Sequence, residues 1–462
     1  MIGADTIAAI STSVGQAGIG IVRVSGPASM KIARAVFRNC KLEKLDRLVP
    51  RYFTFGLIVD PLNDEEKIDE ALCVFMPAPR SYTCEDVVEF QTHGGPLVLR
   101  RVLSVILQQG AKLALPGEFT QRAFLNGRID LVQAEAVMGI IEAKSTTALK
   151  NSTLQLTGKL SKNISEIRNT LLSVLVEIEA GLDYPEEDIQ VIGHDRLIEK
   201  LNNVLGSIDC LLATAQTGKI LREGLRTVII GRPNVGKSTL LNALLGEERA
   251  LVTDIPGTTR DSIEEVVNIR GIPLHIIDTA GLRNSDDRIE LMGMQRTRDS
   301  IGTAGLILFL IDSSEPIQTA DKNILQSLPA VPVIIVVNKT DLPHIADLSG
   351  WKELSQEYPV VALSAKERTG LDTLEKMIVK LVFNESMHLS EESCLDNLRQ
   401  VDSLLAAREH LGAALSALQE RLPLDCVSID LRSVLFSLGA ITGETVSDEV
   451  VREIFAKFCL GK

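Results

Sequence analysis

Thr227-Val228-Ile229-Ile230-Gly231-Arg232-Pro233-Asn234-Val235-Gly236-Lys237-Ser238 decides how this chain is read. A short apolar strand runs into GxxxxGKS, and Thr239-Leu240-Leu241-Asn242-Ala243-Leu244-Leu245 continues as a helix until Gly246 stops it. Glycines let backbone N–H groups approach phosphates closely, and the helix N-terminus adds a favourable dipole. Lys237 can then reach the β- and γ-phosphate oxygens while the Ser238 hydroxyl ligates Mg²⁺.

The downstream partners specify the nucleotide. Ile272-Pro273-Leu274-His275-Ile276-Ile277 reads as a strand ending in Asp278-Thr279-Ala280-Gly281, whose carboxylate falls beside the metal and whose glycine amide can sense the γ-phosphate. Val333-Ile334-Ile335-Val336-Val337 delivers Asn338-Lys339-Thr340-Asp341. Asp341 can accept from N1–H and N2–H₂ of guanine, a pair that adenine cannot supply. Such charge-assisted bonds are worth about 1.5–3 kcal/mol each. After Val360-Val361-Ala362-Leu363 comes Ser364-Ala365-Lys366, placed to cover the base. All these motifs, in order and each at a strand's C-terminal end, predict a GTP/GDP site.

Hydrolysis needs an oriented water. Ras-like enzymes place a glutamine directly after the DxxG glycine, but here that position is Leu282, which makes no side-chain hydrogen bond. Asp286, Asp287 and Glu290 are nearby acids, and the sequence alone does not choose among them. Thr253-Asp254-Ile255-Pro256-Gly257-Thr258-Thr259-Arg260-Asp261 precedes the Asp278 strand; a threonine there can complete the Mg²⁺ shell, and the loop reads as an order–disorder switch.

Length and composition frame this site. A chain of 462 residues suggests about three domains. Hydrophobic residues are 45% and charged residues 24%, which argues against general disorder. A net charge of −13 excludes a broad basic nucleic-acid coat, and 4% aromatics weakens a base-stacking role, so RNA contact would need a local patch or a partner. Apolar runs such as 71–78 and 306–311 fall far short of the about 18–20 residues a membrane span needs, and no secretory n-region precedes Arg23. Seven scattered cysteines, without CxxC or zinc spacing, predict free thiols in a reducing cytoplasm.

Four textures follow in order. Residues 1–125 are β-rich, with Ile19–Val24 and Ala71–Phe75 reading as strands; 126–223 are helical, with Ile164, Ile167, Leu171, Leu175 and Ile178 on one stripe; 224–384 alternate strands with helices; 385–462 are helical again, with Leu395, Leu398, Val401 and Leu405 assigned to one stripe. Each stripe must find cover, and the simplest solution packs the two helical segments together with the α/β domain inserted between them. The fold class expected is therefore multidomain α+β: a β-rich N-terminal domain, a discontinuous helical domain and an inserted P-loop α/β Ras-like G domain.

The loop 254–261 looks like that of the translation-factor-related GTPases with an apolar residue after DxxG, and the tail Phe458-Cys459-Leu460-Gly461-Lys462 and the stretch Pro116-Gly117-Glu118-Phe119-Thr120-Gln121-Arg122-Ala123-Phe124-Leu125-Asn126-Gly127-Arg128 narrow the resemblance to the MnmE (TrmE) family of tRNA wobble-uridine modification GTPases. The resemblance covers the whole chain. It implies an N-terminal domain that binds a tetrahydrofolate derivative (5-formyl- or 5,10-methylene-) and forms a homodimer. It further implies a partner, MnmG (GidA), that uses FAD and NADH in a heterotetramer or larger complex. Together they would add an aminomethyl or carboxymethylaminomethyl group at C5 of U34 in certain tRNAs. The resemblance carries K⁺ ligands onto Asn234, Thr253, Ile255 and Thr258, and Mg²⁺ ligands onto Ser238 and Thr259. It carries the water-orienting role onto Glu290 and folate contacts onto Arg23, Glu89, Arg128 and Lys462. A cation beside the transferring phosphate can replace an arginine finger, an effect of order 10³–10⁵. Leu460 and Arg128 are conservative departures, from isoleucine and lysine.

Plainer roles are assigned elsewhere. Gly15, Gly18 and Gly20 precede a strand and read as a turn rather than a dinucleotide loop; His93 reads as a structural histidine; the acidic run Asp183, Glu186, Glu187 and Asp188 as a solvated helix end; and the stripe from Leu395 to Leu418 as core. Cys459 is an ordinary thiol by composition and a candidate for tRNA modification by its place in the tail. The alternative function is a ribosome-assembly GTPase with the same switch chemistry, which would ordinarily carry a basic RNA-binding appendage.

Overall fold

Alternation of apolar and polar residues builds the first sheet. In a computed structural model of the chain, which describes residues 5–13, 15–43, 48–183, 193–249, 264–278, 301–343, 356–382 and 393–462, two compact units are resolved: Met1–Met138 with Phe436–Lys462, and Gly139–Leu435. Unit 1 contains β1 (Ile7–Ile10), β2 (Ala17–Ser25), α1 (Ser29–Val36), β3 (Phe37–Arg38), β4 (Thr54–Asp60), β5 (Glu66–Met76), β6 (Val87–Gly94), α2 (Pro96–Gln108), β7 (Lys112–Leu113) and α3 (Glu118–Leu125); α4 (Leu131–Glu142) leads out of it. The sheet order is β3-β4-β5-β6-β2-β1-β7, antiparallel except for the β1–β7 pair. Val22, Val24, Val88 and Phe90 pack with Ile32, Val36, Leu99, Val102 and Ile106 of α1 and α2. Side chains alternate along a strand, so Arg23 and Glu89 belong to the opposite face. Gly18 and Gly20 are not a turn: they lie inside β2, where the register shifts between Ala17 and Gly20. A Cβ on Gly20 would meet Leu99 Cδ2 at 2.7 Å, so the glycine lets the helix close on the strand.

Unit 2 begins with α5 (Thr146–Leu156), α6 (Lys159–Asp183), α7 (His194–Ala213) and α8 (Ala215–Glu223). The α/β segment follows as β8 (Leu225–Gly231), α9 (Lys237–Arg249), β9 (Glu264–Ile269), β10 (Ile272–Asp278), β11 (Leu306–Asp312), α10 (Thr319–Gln326), β12 (Val333–Asn338), β13 (Val360–Ala362) and α11 (Leu371–Val382). Its sheet runs β13-β12-β11-β8-β10-β9, parallel except for β9. β8 is the switch point, and a parallel sheet buried on both faces explains the unbroken apolar runs of β11 and β12.

The chain then returns to the helices. Asn151 of α5 accepts from the Cys394 amide at 2.7 Å and donates to Asp396 at 2.9 Å; Gln155 donates to the Cys394 carbonyl at 2.8 Å, and Thr214 accepts from the Leu395 amide at 3.0 Å. α12 (Leu398–Gln419) packs on α7, and Ile164, Ile167, Leu171, Leu175 and Ile178 of α6 are buried as their spacing requires. The phase of α12 differs from expectation. Leu398 and Leu405 are 74% and 48% exposed, whereas Gln400, Leu404, Ala407, Leu411, Ala414 and Leu418 are buried. Leu395 lies ahead of the Asn397 N-cap, so it could not fix the phase of a helix that begins after it.

α13 (Leu424–Thr442) leads to α14 (Asp448–Ala456), which belongs to unit 1. Val451, Phe455 and Phe458 pack with Ala123, Leu131 and Ala134. At the tail, a Cβ on Gly461 (φ +89) would stand 2.2 Å from the Ile10 carbonyl oxygen, so only glycine lets the chain lie against β1.

Candidate functional site

The phosphate loop is held from both sides. Gly231, Asn234 and Gly236 take φ of 151°, 65° and 99°, which curls the segment between β8 and α9. Lys237 Nζ donates to the Gly231 and Arg232 carbonyls at 3.0 and 2.8 Å, so its buried ammonium is aimed across the loop. Ser238 and Thr239 stand exposed in the first turn of α9, where amides and dipole favour an anion, and an exposed hydroxyl suits a hard cation.

Asn338 joins the other motifs to this loop. Its buried Nδ2 donates to the Val235 carbonyl at 2.9 Å, and its Oδ1 accepts from the Ala365 amide at 2.9 Å. A Cβ on Gly236 would lie 2.3 Å from that Nδ2, so the glycine is required by the clasp. Ser364 Oγ donates to Asp341 Oδ1 at 2.5 Å. This bond, reinforced by the nearby Lys366 and Lys339 charges, holds the Asp341 carboxyl below the usual carboxylate range. Asp341 and Lys366 are exposed, Thr340 is half-buried and Ser364 is buried beneath them. The arrangement presents an ionised acceptor at the C-terminal edge of the sheet, beside the phosphate loop.

Two supports were not legible in the motifs. Lys339 Nζ pairs with Asp312 at the end of β11, 2.6 Å apart. Burial opposes the charge on Asp312, but hydrogen bonds from Lys339 and Ser314 prevail and keep its carboxyl ionised below the usual range. Arg232 Nε donates to the fully buried Asp321 at 2.9 Å, and its Nη1 to Glu315 at 2.9 Å. These partners are 89 and 83 positions away in sequence, and no spacing rule announces them.

Thr253, Asp254, Ile255, Pro256, Gly257, Thr258, Thr259, Thr279, Ala280, Gly281, Leu282, Asp286, Asp287 and Glu290 lie outside the described residues, as does the side chain of Asp278. The acidic run 183–188 falls there too, apart from the backbone of Asp183.

Unit 1 gathers a second set. Arg23 and Glu89 face each other across β2 and β6, with Nε and Oε1 2.8 Å apart. The Arg23 guanidinium lies 5.2 Å from the Tyr82 ring centroid and 5.5 Å from that of Phe119, and Arg128 stacks on Tyr82 at 4.6 Å. Tyr82, absent from the sequence-based set, is anchored by a 2.9 Å hydrogen bond between its hydroxyl and Thr120. Burial and the Arg23 charge lower the Lys462 ammonium, partly offset by Glu89 and Cys459. Two guanidinium groups thus lie over the Tyr82 ring, with Glu89 paired to one of them and Lys462 in the field of that pair, a chemistry suited to a planar ligand with an acidic tail. Cys459 is exposed, and its carbonyl accepts from the Gly117 amide at 3.3 Å, joining the two sequence signatures. His93 is exposed, and its Nδ1 lies 2.7 Å from Asp69, whose hydrogen bond and charge raise the imidazole above its ordinary value.

Among the described residues no helix is long and apolar enough to cross a membrane. The family model "GTP-binding protein TrmE N-terminus" matches residues 6–128, and "MnmE helical domain" matches 131–459. The chain is similar to the tRNA modification GTPase MnmE of Geobacillus thermodenitrificans, 47% identical over 459 residues, and to that of Thermoanaerobacter sp. strain X514, 44% identical over 458; each alignment covers 99% of both chains. Among solved structures it is similar to a single-residue variant of Aquifex aeolicus Era bound to GDP and AlF₄⁻: 28% identity, 40% of this chain, 66% of that one, TM-score 0.29. The G domain of the T. maritima FeoB iron transporter is a further match: 26% identity, 34% of this chain, 99% of that one, TM-score 0.26.

Proposed function

The chain belongs to the MnmE (TrmE) family of tRNA modification GTPases, and from that premise we propose that its GTP cycle drives one-carbon chemistry on the wobble uridine. The protein is a GTP-binding hydrolase acting in tRNA modification. In the proposal, GTP lies across residues 234–239, with guanine read by Asp341 and covered by residues 364–366. Ser238 and Thr259 hold Mg²⁺, and Asn234, Thr253, Ile255 and Thr258 hold K⁺. Glu290 orients water, while Lys237 and the bound cations offset charge on the transferring phosphate.

Arg23, Glu89, Arg128 and Lys462 bind a reduced folate: the carboxylate pairs with the pterin's N–H edge and the cations with its acidic tail. The folate would supply the carbon, and MnmG, through its FAD and NADH, the redox chemistry; Cys459 acts near that carbon. A homodimer working with MnmG on tRNA in the cytoplasm completes the proposal, and the acidic net charge supports leaving most RNA contact to the partner. One observation carries this reading: residues from three distant stretches of sequence converge about Tyr82, with Lys462 electrostatically coupled to Arg23 and Glu89. Titration with 5-formyltetrahydrofolate tests it. Saturable binding that is lost in Arg23→Ala supports it, and no binding by the wild-type protein refutes it. The family match over the full chain favours this reading over a ribosome-assembly GTPase.

A further inference from the structure

Two loop carbonyls accept from Lys237 Nζ, and one of them belongs to a residue whose own side chain is tied to a helix outside every nucleotide motif. Arg232 offers its carbonyl to Lys237 Nζ at 2.8 Å and sends its guanidinium the other way, Nε to Asp321 and Nη1 to Glu315, both at 2.9 Å. Asp321 is fully buried, and its second oxygen accepts from the Gln318 amide at 2.9 Å as half of the capping box that starts α10. The carboxylate is therefore fixed by the helix and is held in place as an anchor. Pro233 restricts the Arg232 backbone to extended conformations, so the direction of the Arg232 side chain and that of its carbonyl are linked.

We infer that Arg232 is a positioning residue for nucleotide binding, its side chain anchored on Asp321 so that its carbonyl holds the Lys237 ammonium across the phosphate loop. The loop needs such a tether because Gly231, at the end of β8, and Asn234 and Gly236 beyond it all adopt positive φ, and the last two lie outside the β8 ladder. Asn338 fixes its far side through the Val235 carbonyl, and Arg232 fixes its near side. The 315–321 segment thereby becomes part of the site without touching the nucleotide.

The inference rests on the GTP-site reading above, and the test separates the two. Arg232→Gln, Asp321→Asn and their double variant are titrated with GDP in the full-length protein, with stoichiometry and melting temperature recorded. The tether predicts dissociation constants weakened about tenfold at full stoichiometry in each single variant, a double variant no weaker than either, and a rise in the KM for GTP exceeding the loss in kcat. A purely structural role would lower the melting temperature or stoichiometry while leaving the dissociation constant as in wild type, and that result overturns the inference; so do additive effects in the double variant. Should the Asp321 variants not fold, Arg232→Lys decides, with binding weakened at least about threefold expected and wild-type affinity contradicting the tether. Wild-type protein that binds no GDP would instead remove the underlying reading.

Discussion

Asn338 Nδ2 donates to the Val235 carbonyl at 2.9 Å, so the residue that opens the guanine motif also closes the phosphate loop. The same side chain accepts from the Ala365 amide, so segments 103 positions before it and 27 after it share one buried amide. Asn338→Ala should therefore weaken GDP binding about tenfold or more, because two buried backbone groups lose their partner at once. Calorimetric titration checks this.

Guanine selectivity should reside in Asp341. Asp341→Asn replaces an acceptor with a donor toward N1–H and N2–H₂, and preference should move toward xanthosine triphosphate by a factor on the order of 10²–10³. Competition of XTP and GTP for the variant reads this out.

The pH dependence follows from the Ser364 hydrogen bond, which holds the Asp341 carboxyl below its ordinary range. A depressed value keeps the carboxylate ionised as pH falls, and binding fails only once pH drops through it. Ser364→Ala should shift the acid limb of GDP binding to higher pH. His93 has the opposite sign: Asp69 raises its pKa. The protonated pair contributes below the unfolded value of about 6.5 and fades as pH climbs through the folded one. Asp69→Asn should lower the His93 midpoint in an NMR titration.

Potassium should matter. With Asn234 at φ 65° at the edge of the loop, and Thr253, Ile255 and Thr258 proposed as further ligands, GTP turnover should be markedly faster in KCl than in NaCl at matched ionic strength. Glu290→Ala should abolish turnover while sparing GTP affinity. A variant that hydrolyses at the wild-type rate would move the water-orienting role to Asp286 or Asp287.

The α12 phase makes a stability prediction. Leu404→Ala should cost about 2–5 kcal/mol, since Leu404 is wholly buried. Leu398→Ala should stay within about 0.5 kcal/mol, because Leu398 projects into solvent. Urea melts of the two variants separate them.

These cases also show what local sequence can reveal. The nucleotide motifs were legible because each needs a strand end, a glycine or a carboxylate at fixed spacing, and those are local requirements. Arg23 opposite Glu89 was reachable only through family resemblance, and Tyr82 not at all, since the Arg23–Glu89 register and the stacking on Tyr82 are set by pairings 46 or more residues apart. The Arg232–Asp321 pair was hidden for the same reason. The stripe 395–405 failed because its first residue precedes the helix it was used to phase.

The most direct measurement is nucleoside mass spectrometry of tRNA from a strain lacking this protein and carrying it back as wild type, Lys237→Ala or Arg23→Ala. The account predicts that the C5 modification of U34 disappears in the deletion, returns with wild type, and stays absent with either variant, one disabling the GTP site and the other the folate cluster. A deletion strain whose U34 remains fully modified would contradict it.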